Sequence, residues 1–127
     1  MIAFGRDVAE YVGLKTGTTY HPPYSAIGRE VGGKIVAGAV FNTYTGWDIE
    51  ISIAAEPGGI TRGLLRAWGC YVRDVAGCGR VSITTQSEHV AELAIRLGGQ
   101  REGLKRDAFG PGRHGITLGI LKSEWRF

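Results

Sequence analysis

The stretch Trp47–Trp68, WDIEISIAAEPGGITRGLLRAW, decides the fold, because its hydrophobic period changes once, across Pro57, Gly58 and Gly59. Before the glycines, Ile49, Ile51 and Ile53 alternate with Asp48, Glu50 and Ser52, the pattern of a strand with one apolar and one polar face. After them, Ile60, Leu64, Leu65, Trp68, Tyr71, Val72 and Val75 recur at spacings of three and four, which predicts a helix from about Ile60 to Ala76 with one side buried. A strand that turns through glycines into a helix leaves free N–H groups and the positive end of a helix dipole at the turn. An anion such as phosphate fits there.

Upstream of this stretch, Ser25–Val31 and Lys34–Tyr44 read as two strands joined at Gly32 and Gly33, a two-residue connection suited to a tight hairpin. In the second of them both faces are apolar, Ile35, Ala37, Ala39 and Phe41 on one side and Val36, Gly38 and Val40 on the other, which predicts a central strand. Ile2–Phe4 reads as a short strand, and Asp7 with Glu10 as a capping pair opening a helix that carries Val8, Tyr11 and Val12. Downstream, Arg80–Thr84 is a strand. Thr85 and Glu88 stand at capping-box spacing before a helix with the stripe Val90, Leu93, Ala94 and Leu97, and Gln100–Ala108 with His114–Leu121 form a final hairpin. Strand, helix and strand in succession imply a parallel crossover within an otherwise antiparallel meander, so the fold class is α/β (α+β), a mixed sheet with helices on its faces.

The chain has 127 residues, 43% of them apolar and 21% charged, which fits a single domain spanning residues 1–127. The N-terminal MIAFGRDVAEYVG lacks a basic region followed by an apolar run, and no segment approaches the roughly 20 apolar residues of a membrane span, so a cytoplasmic protein with no membrane partner is expected. Cys70 and Cys78 read as free thiols, and three dispersed His offer no metal-ligand spacing, so no metal is expected. A net charge of +3 favours an anionic partner without choosing one. The basic residues are scattered and do not alternate with exposed aromatics, which argues against nucleic acid.

Together, the order of elements and several motifs resemble the GNAT superfamily of acyl-CoA N-acyltransferases, in a short form like those of bacteria and phages, over nearly the whole chain. That family has a glycine loop between its fourth strand and the following helix, with Gln or Arg, two residues, Gly, one residue, and Gly or Ala. Here Glu56, Gly59 and Thr61 take those three positions. Leu93, Arg96, Leu97 and Gly98, followed by Glu102 and Gly103, resemble the helix ending in Leu-Gly-Phe and the strand containing Glu-Gly, with Gly99 in place of the Phe. The resemblance implies a mostly antiparallel sheet of six to seven strands with helices on both faces. It also implies acetyl-CoA as acyl donor and transfer of its acetyl group, by direct attack, to an amine of a small molecule or protein.

On this resemblance the backbone of Ile53, Ala54 and Ala55 pairs with pantetheine, and Gly58, Gly59, Ile60, Thr61 and Arg62 hold the pyrophosphate. Ser87 replaces the Asn often found at the start of the next helix, and Glu50 is the candidate general base, with a structural ion pair to an Arg or Lys as its plain alternative. Ala94 stands where many members carry a Tyr that protonates the thiolate, and Glu56 sets a carboxylate beside the pyrophosphate position. These two departures leave open an inactive CoA-binding or protein-interaction module. Tyr20, His21, Tyr24 and Tyr44 are candidates for the acceptor pocket, against the plainer reading of loop and edge packing. Trp125–Phe127 is expected to dock on the chain's own sheet, or on a second subunit of a homodimer.

Overall fold

A computed structural model describes all residues from Met1 to Phe127. The strands are β1 (Ile2–Phe4), β2 (Ser25–Val31), β3 (Lys34–Asn42), β4 (Asp48–Ala55), β5 (Arg80–Thr85), β6 (Gln100–Lys105) and β7 (Gly115–Leu121), and the helices are α1 (Arg6–Thr16), α2 (Arg62–Cys70) and α3 (Glu88–Arg96). The seven strands form one sheet in the order β1-β2-β3-β4-β5-β7-β6. Every neighbouring pair is antiparallel except β4 and β5, which the α2 crossover makes parallel. The expected mixed, mostly antiparallel sheet is therefore present, with β3 central between β2 and β4. No helix is long and apolar enough to cross a membrane.

The period-two residues of β4 divide the core in two. Ile49, Ile51 and Ile53 join Ala37, Ala39 and Phe41 of β3 beneath Leu64, Leu65 and Trp68 of α2 and Ala91, Leu93, Ala94 and Leu97 in and after α3. Trp68 is fully buried, and its Nε1–H donates to the Ile27 carbonyl at 2.9 Å. On the opposite face, Val8, Ala9 and Val12 of α1 pack on Ala26, Val40 and Ala54 in a smaller cluster. α1 lies close to the sheet because Gly28 and Gly38 sit under it: a Cβ on Gly38 would come within 2.7 Å of a Val8 methyl.

Several boundaries differ from the sequence expectation. Asp7 and Glu10 do not cap α1, whose N-cap is Gly5 with no side-chain bond. Ser87, not Thr85, caps α3. The Ser87 Oγ accepts from Val90 N–H at 3.2 Å, while Thr85 Oγ1 accepts from Ser87 N–H at 3.0 Å. The α2 helix closes through one wide π turn, Tyr71–Val75. Trp125–Phe127 folds back on the chain's own larger core, along α2 and the end of α3: the Trp125 indole lies on Gly69, Arg73 donates to the Phe127 carbonyl at 2.7 Å, and Arg126 N–H donates to the Leu97 carbonyl at 2.9 Å.

Candidate functional site

The functional geometry begins where β4 loses a partner. Against β3 its ladder runs from Glu50, opposite Asn42, to Ala55, opposite Ala37. Against β5 it runs only from Asp48, opposite Arg80, to Ile51, opposite Ile83. Beyond Ile51 the two strands part, because β5 continues on β7 through Thr84 and Thr85. The backbone groups of Ser52–Ala55 that point away from β3 thus meet a cleft instead of a strand. This cleft has a volume of about 810 Å³ and is walled by Ser52–Ala55, the turn before α2, Leu65, Thr84–Ser87, Val90, Leu93 and Phe109. A volume of that size holds an extended cofactor.

The helix N-termini give the cleft its electrostatics. Glu56–Gly59 is a tight turn with Gly58 at φ 74° and Gly59 N–H donating back to the Glu56 carbonyl at 2.8 Å. It delivers Thr61 as N-cap of α2, its Oγ1 accepting from Leu64 N–H at 3.2 Å. Arg62 and Gly63 N–H are left without protein acceptors in the first turn. The N-cap of α3, Ser87, is on the same cleft, and its hydroxyl proton remains free to donate after Oγ accepts from Val90. Arg62 and Arg96 also line it, and neither is ion-paired. Two helix dipoles and two unpaired guanidinium groups therefore favour an anion here.

Most sequence candidates reach this cleft, with some changes of role. Ile53, Ala54, Ala55, Gly58, Ile60, Thr61, Arg62 and Ser87 line it. Gly59 does not. It is buried, its N–H is spent in the turn, and a Cβ would lie 2.3 Å from the Val36 carbonyl oxygen, so glycine is needed for packing on β3 and not for contact with a ligand. Gly59→Ala is expected to cost about 1–3 kcal/mol, the range for overpacking, and to weaken anion binding by displacing the α2 N-terminus. A thermal melt and a ligand titration check this.

Glu56 is drawn away from the anion position. Its Oε2 accepts from the Tyr11 hydroxyl and lies 3.0 Å from Lys15 Nζ, both on α1. Tyr11 and Lys15 hold the Glu56 carboxyl below the usual carboxylate range, while burial and the bond to Glu56 push the Tyr11 phenol above its ordinary value. Nothing local in sequence marks this cluster, since Tyr11 and Glu56 stand 45 residues apart.

Glu50 projects from the polar face of β4, exposed, in register with Asn42 and Ser82. Its structural-pair alternative is not what is observed. The nearby guanidinium, Arg80, is taken by Glu102 in a bidentate pair, with Asp48 at 3.8 Å, and Glu50 has no ion-pair or hydrogen-bond partner. It lies outside the cleft wall but two residues before Ser52, on the same face and about 7 Å along the strand. Tyr20 and Tyr24 pack on the small core under α1, and His21 is exposed; none lines the cleft. Tyr44 is at the opposite end of β4 from the cleft, where its hydroxyl donates to the Ala76 carbonyl at 2.7 Å. Lys15, Thr84, Gln86, Arg96, Phe109 and Phe127 are cleft residues that sequence reasoning missed.

No protein-family model matches the chain. No curated protein sequence matches it either. Solved structures with the same architecture are nonetheless numerous. Mutant forms of the spermidine/spermine N-acetyltransferase SpeG from Vibrio cholerae superpose with a TM-score of 0.72 at 12% identity, covering 97% of this chain and 95% of theirs. An aminoglycoside 6'-N-acetyltransferase complexed with coenzyme A gives 0.71 at 14% identity, covering 96% and 97%. A probable acetyltransferase gives 0.65 at 19% identity over 80% of this chain, which spans only 64% of its length. The parallel β4–β5 pair that splays beside the α2 N-terminus, set in a seven-stranded mostly antiparallel sheet, gives this chain the fold of the GNAT acetyltransferases.

Proposed function

We infer that the protein is an N-acetyltransferase that uses acetyl-CoA and an amine acceptor. The observation that carries this is the splay: an unpaired strand edge, Ser52–Ala55, leads directly to the free N–H groups of Arg62 and Gly63. An amide-bearing chain that ends in a pyrophosphate matches that order of donors and acceptors. Acetyl-CoA, when bound, supplies the thioester. The β4 edge holds the pantetheine amides and polarises the acyl carbonyl, and the α2 turn with Thr61 and Arg62 holds the pyrophosphate. Glu50, directly or through one water, takes the proton that the acceptor ammonium must lose before its nitrogen attacks. The thiolate leaves and takes up a proton. Ala94 cannot give it, being fully buried and without a hydroxyl. Ser52, Thr84, Thr85 and Ser87 carry hydroxyl groups on the cleft wall beside the splay.

That same Ala94 favours a second reading, a module that binds CoA without turning it over. Calorimetric titration with acetyl-CoA, followed by release of free CoA in the presence of a panel of polyamines, aminoglycosides and peptides, separates the two. The expected result is micromolar binding and amine-dependent CoA release. Binding without release from any amine supports the module, and no binding at millimolar acetyl-CoA overturns both.

A further inference from the structure

The cluster of Tyr11, Lys15 and Glu56 on the lip of the cleft has no part in the chemistry above. Tyr11 and Lys15 stand one turn apart on α1 and leave the same face of the helix. Both reach a single oxygen, Glu56 Oε2. The two donors are not equivalent. The Tyr11 hydroxyl also lies 3.3 Å from the Val36 carbonyl, and its ring packs against the small core. The Lys15 side chain is 49% exposed and lines the cleft. Glu56 itself is fixed by its N–H, which donates to the Val36 carbonyl at 2.8 Å, and it opens the turn that delivers the α2 N-terminus.

A carboxylate at this position repels an incoming phosphate. If Glu56 needed only a partner to anchor the turn, the part-buried Tyr11 hydroxyl would suffice. The added feature is a half-exposed cation on the same oxygen, within the walls of a cleft that already holds two unpaired arginines. We propose that Lys15 is a phosphate-binding residue held in reserve on Glu56, and that it transfers to the phosphate of the ligand while Tyr11 keeps the carboxylate turned onto α1. This rests on the reading of the cleft as a CoA site. The exchange gives up one half-exposed ion pair and makes another. It is favourable because the phosphate is doubly served, by Lys15 and by the α2 N-terminus, and because Glu56 loses no hydrogen bond from Tyr11. Lys15 therefore adds to affinity only for ligands that carry a phosphate, and Glu56 subtracts from it.

Three ligands test this: CoA, 4′-phosphopantetheine and pantetheine, each titrated by calorimetry to millimolar concentration. Lys15→Met is expected to raise the Kd of CoA and of 4′-phosphopantetheine about tenfold and to leave pantetheine unchanged. Lys15→Arg is expected to stay near wild type. Glu56→Gln, which keeps the Tyr11 contact, is expected to tighten both phosphorylated ligands severalfold, whereas a glutamate that only braced the turn would weaken them. Thermal melts of each variant establish that it is folded. A Lys15→Met Kd for CoA within twofold of wild type, or an equal loss for pantetheine, overturns the proposal and leaves the CoA reading standing. A wild-type protein that binds neither phosphorylated ligand overturns both.

Discussion

Glu50→Gln is expected to lower kcat about 10²–10⁴-fold, the usual worth of a general base, with the Kd of acetyl-CoA within twofold of wild type. The amide keeps the shape of the carboxylate and removes only its basicity, so packing and cofactor contacts are unaffected. The position suits the role for two reasons already visible in the fold. Glu50 stands on the polar face of β4 just before the strand leaves β5, and the cation that would otherwise neutralise it, Arg80, is occupied by Glu102 and Asp48. Arg80 and Ser82 thus engage the neighbouring carboxylates Glu102 and Asp48, and Glu50 is left without a partner. Steady-state kinetics with the best amine of the panel, beside a calorimetric Kd, provide the check. Turnover that survives the change intact places the base elsewhere.

Trp68→Ala is expected to destabilise the protein by about 3–5 kcal/mol, as for other buried tryptophans, and to be the most damaging single truncation in α2. Trp68 is fully buried in the larger core, and its indole donates to the Ile27 carbonyl of β2. Losing the ring opens a cavity and leaves that carbonyl without its donor. Trp68→Phe keeps most of the apolar volume and drops the hydrogen bond, so a loss of only about 1–2 kcal/mol is expected for it. Urea unfolding curves with equal m-values make the comparison. A loss below 1 kcal/mol for the alanine variant would mean that α2 is not anchored through this residue.

The sequence carried the fold because its strongest signals are periodic and local. Ile49, Ile51 and Ile53 against Ile60 to Val75 set a two-faced strand beside a one-faced helix, and a strand, helix and strand in succession admit a parallel pair. The Gly32–Gly33 hairpin also follows from two residues, both at positive φ. What was illegible depends on distance in sequence or on which of several polar groups wins. Thr85 and Ser87 both suit an N-cap. Thr85 Oγ1 is spent on the Ser87 amide, and Ser87 Oγ takes the Val90 amide, which makes Ser87 the cap. Gly59 looked like a ligand contact because glycine permits close approach, and it does, but to the Val36 carbonyl. The partners that hold Glu56, Tyr11 and Lys15, were illegible because they lie on a helix more than forty residues earlier. Tyr44 and Trp47 flank a turn near Glu50 in sequence. The strand carries them to its other end, where Trp47 packs on Gly79.

The seam between β4 and β5, closed over Asp48–Ile51 and open over Ser52–Ala55, makes the sheet two leaves bound along part of one margin. A molecule seated in the open part takes the place of the missing rungs, so the protein completes its own secondary structure with something that is not protein. Deuterium uptake makes this visible. Amides of Ser52–Ala55 that face the cleft should exchange with solvent while the seam gapes, and slow down when it is filled, whereas their neighbours turned toward β3 keep one rate throughout.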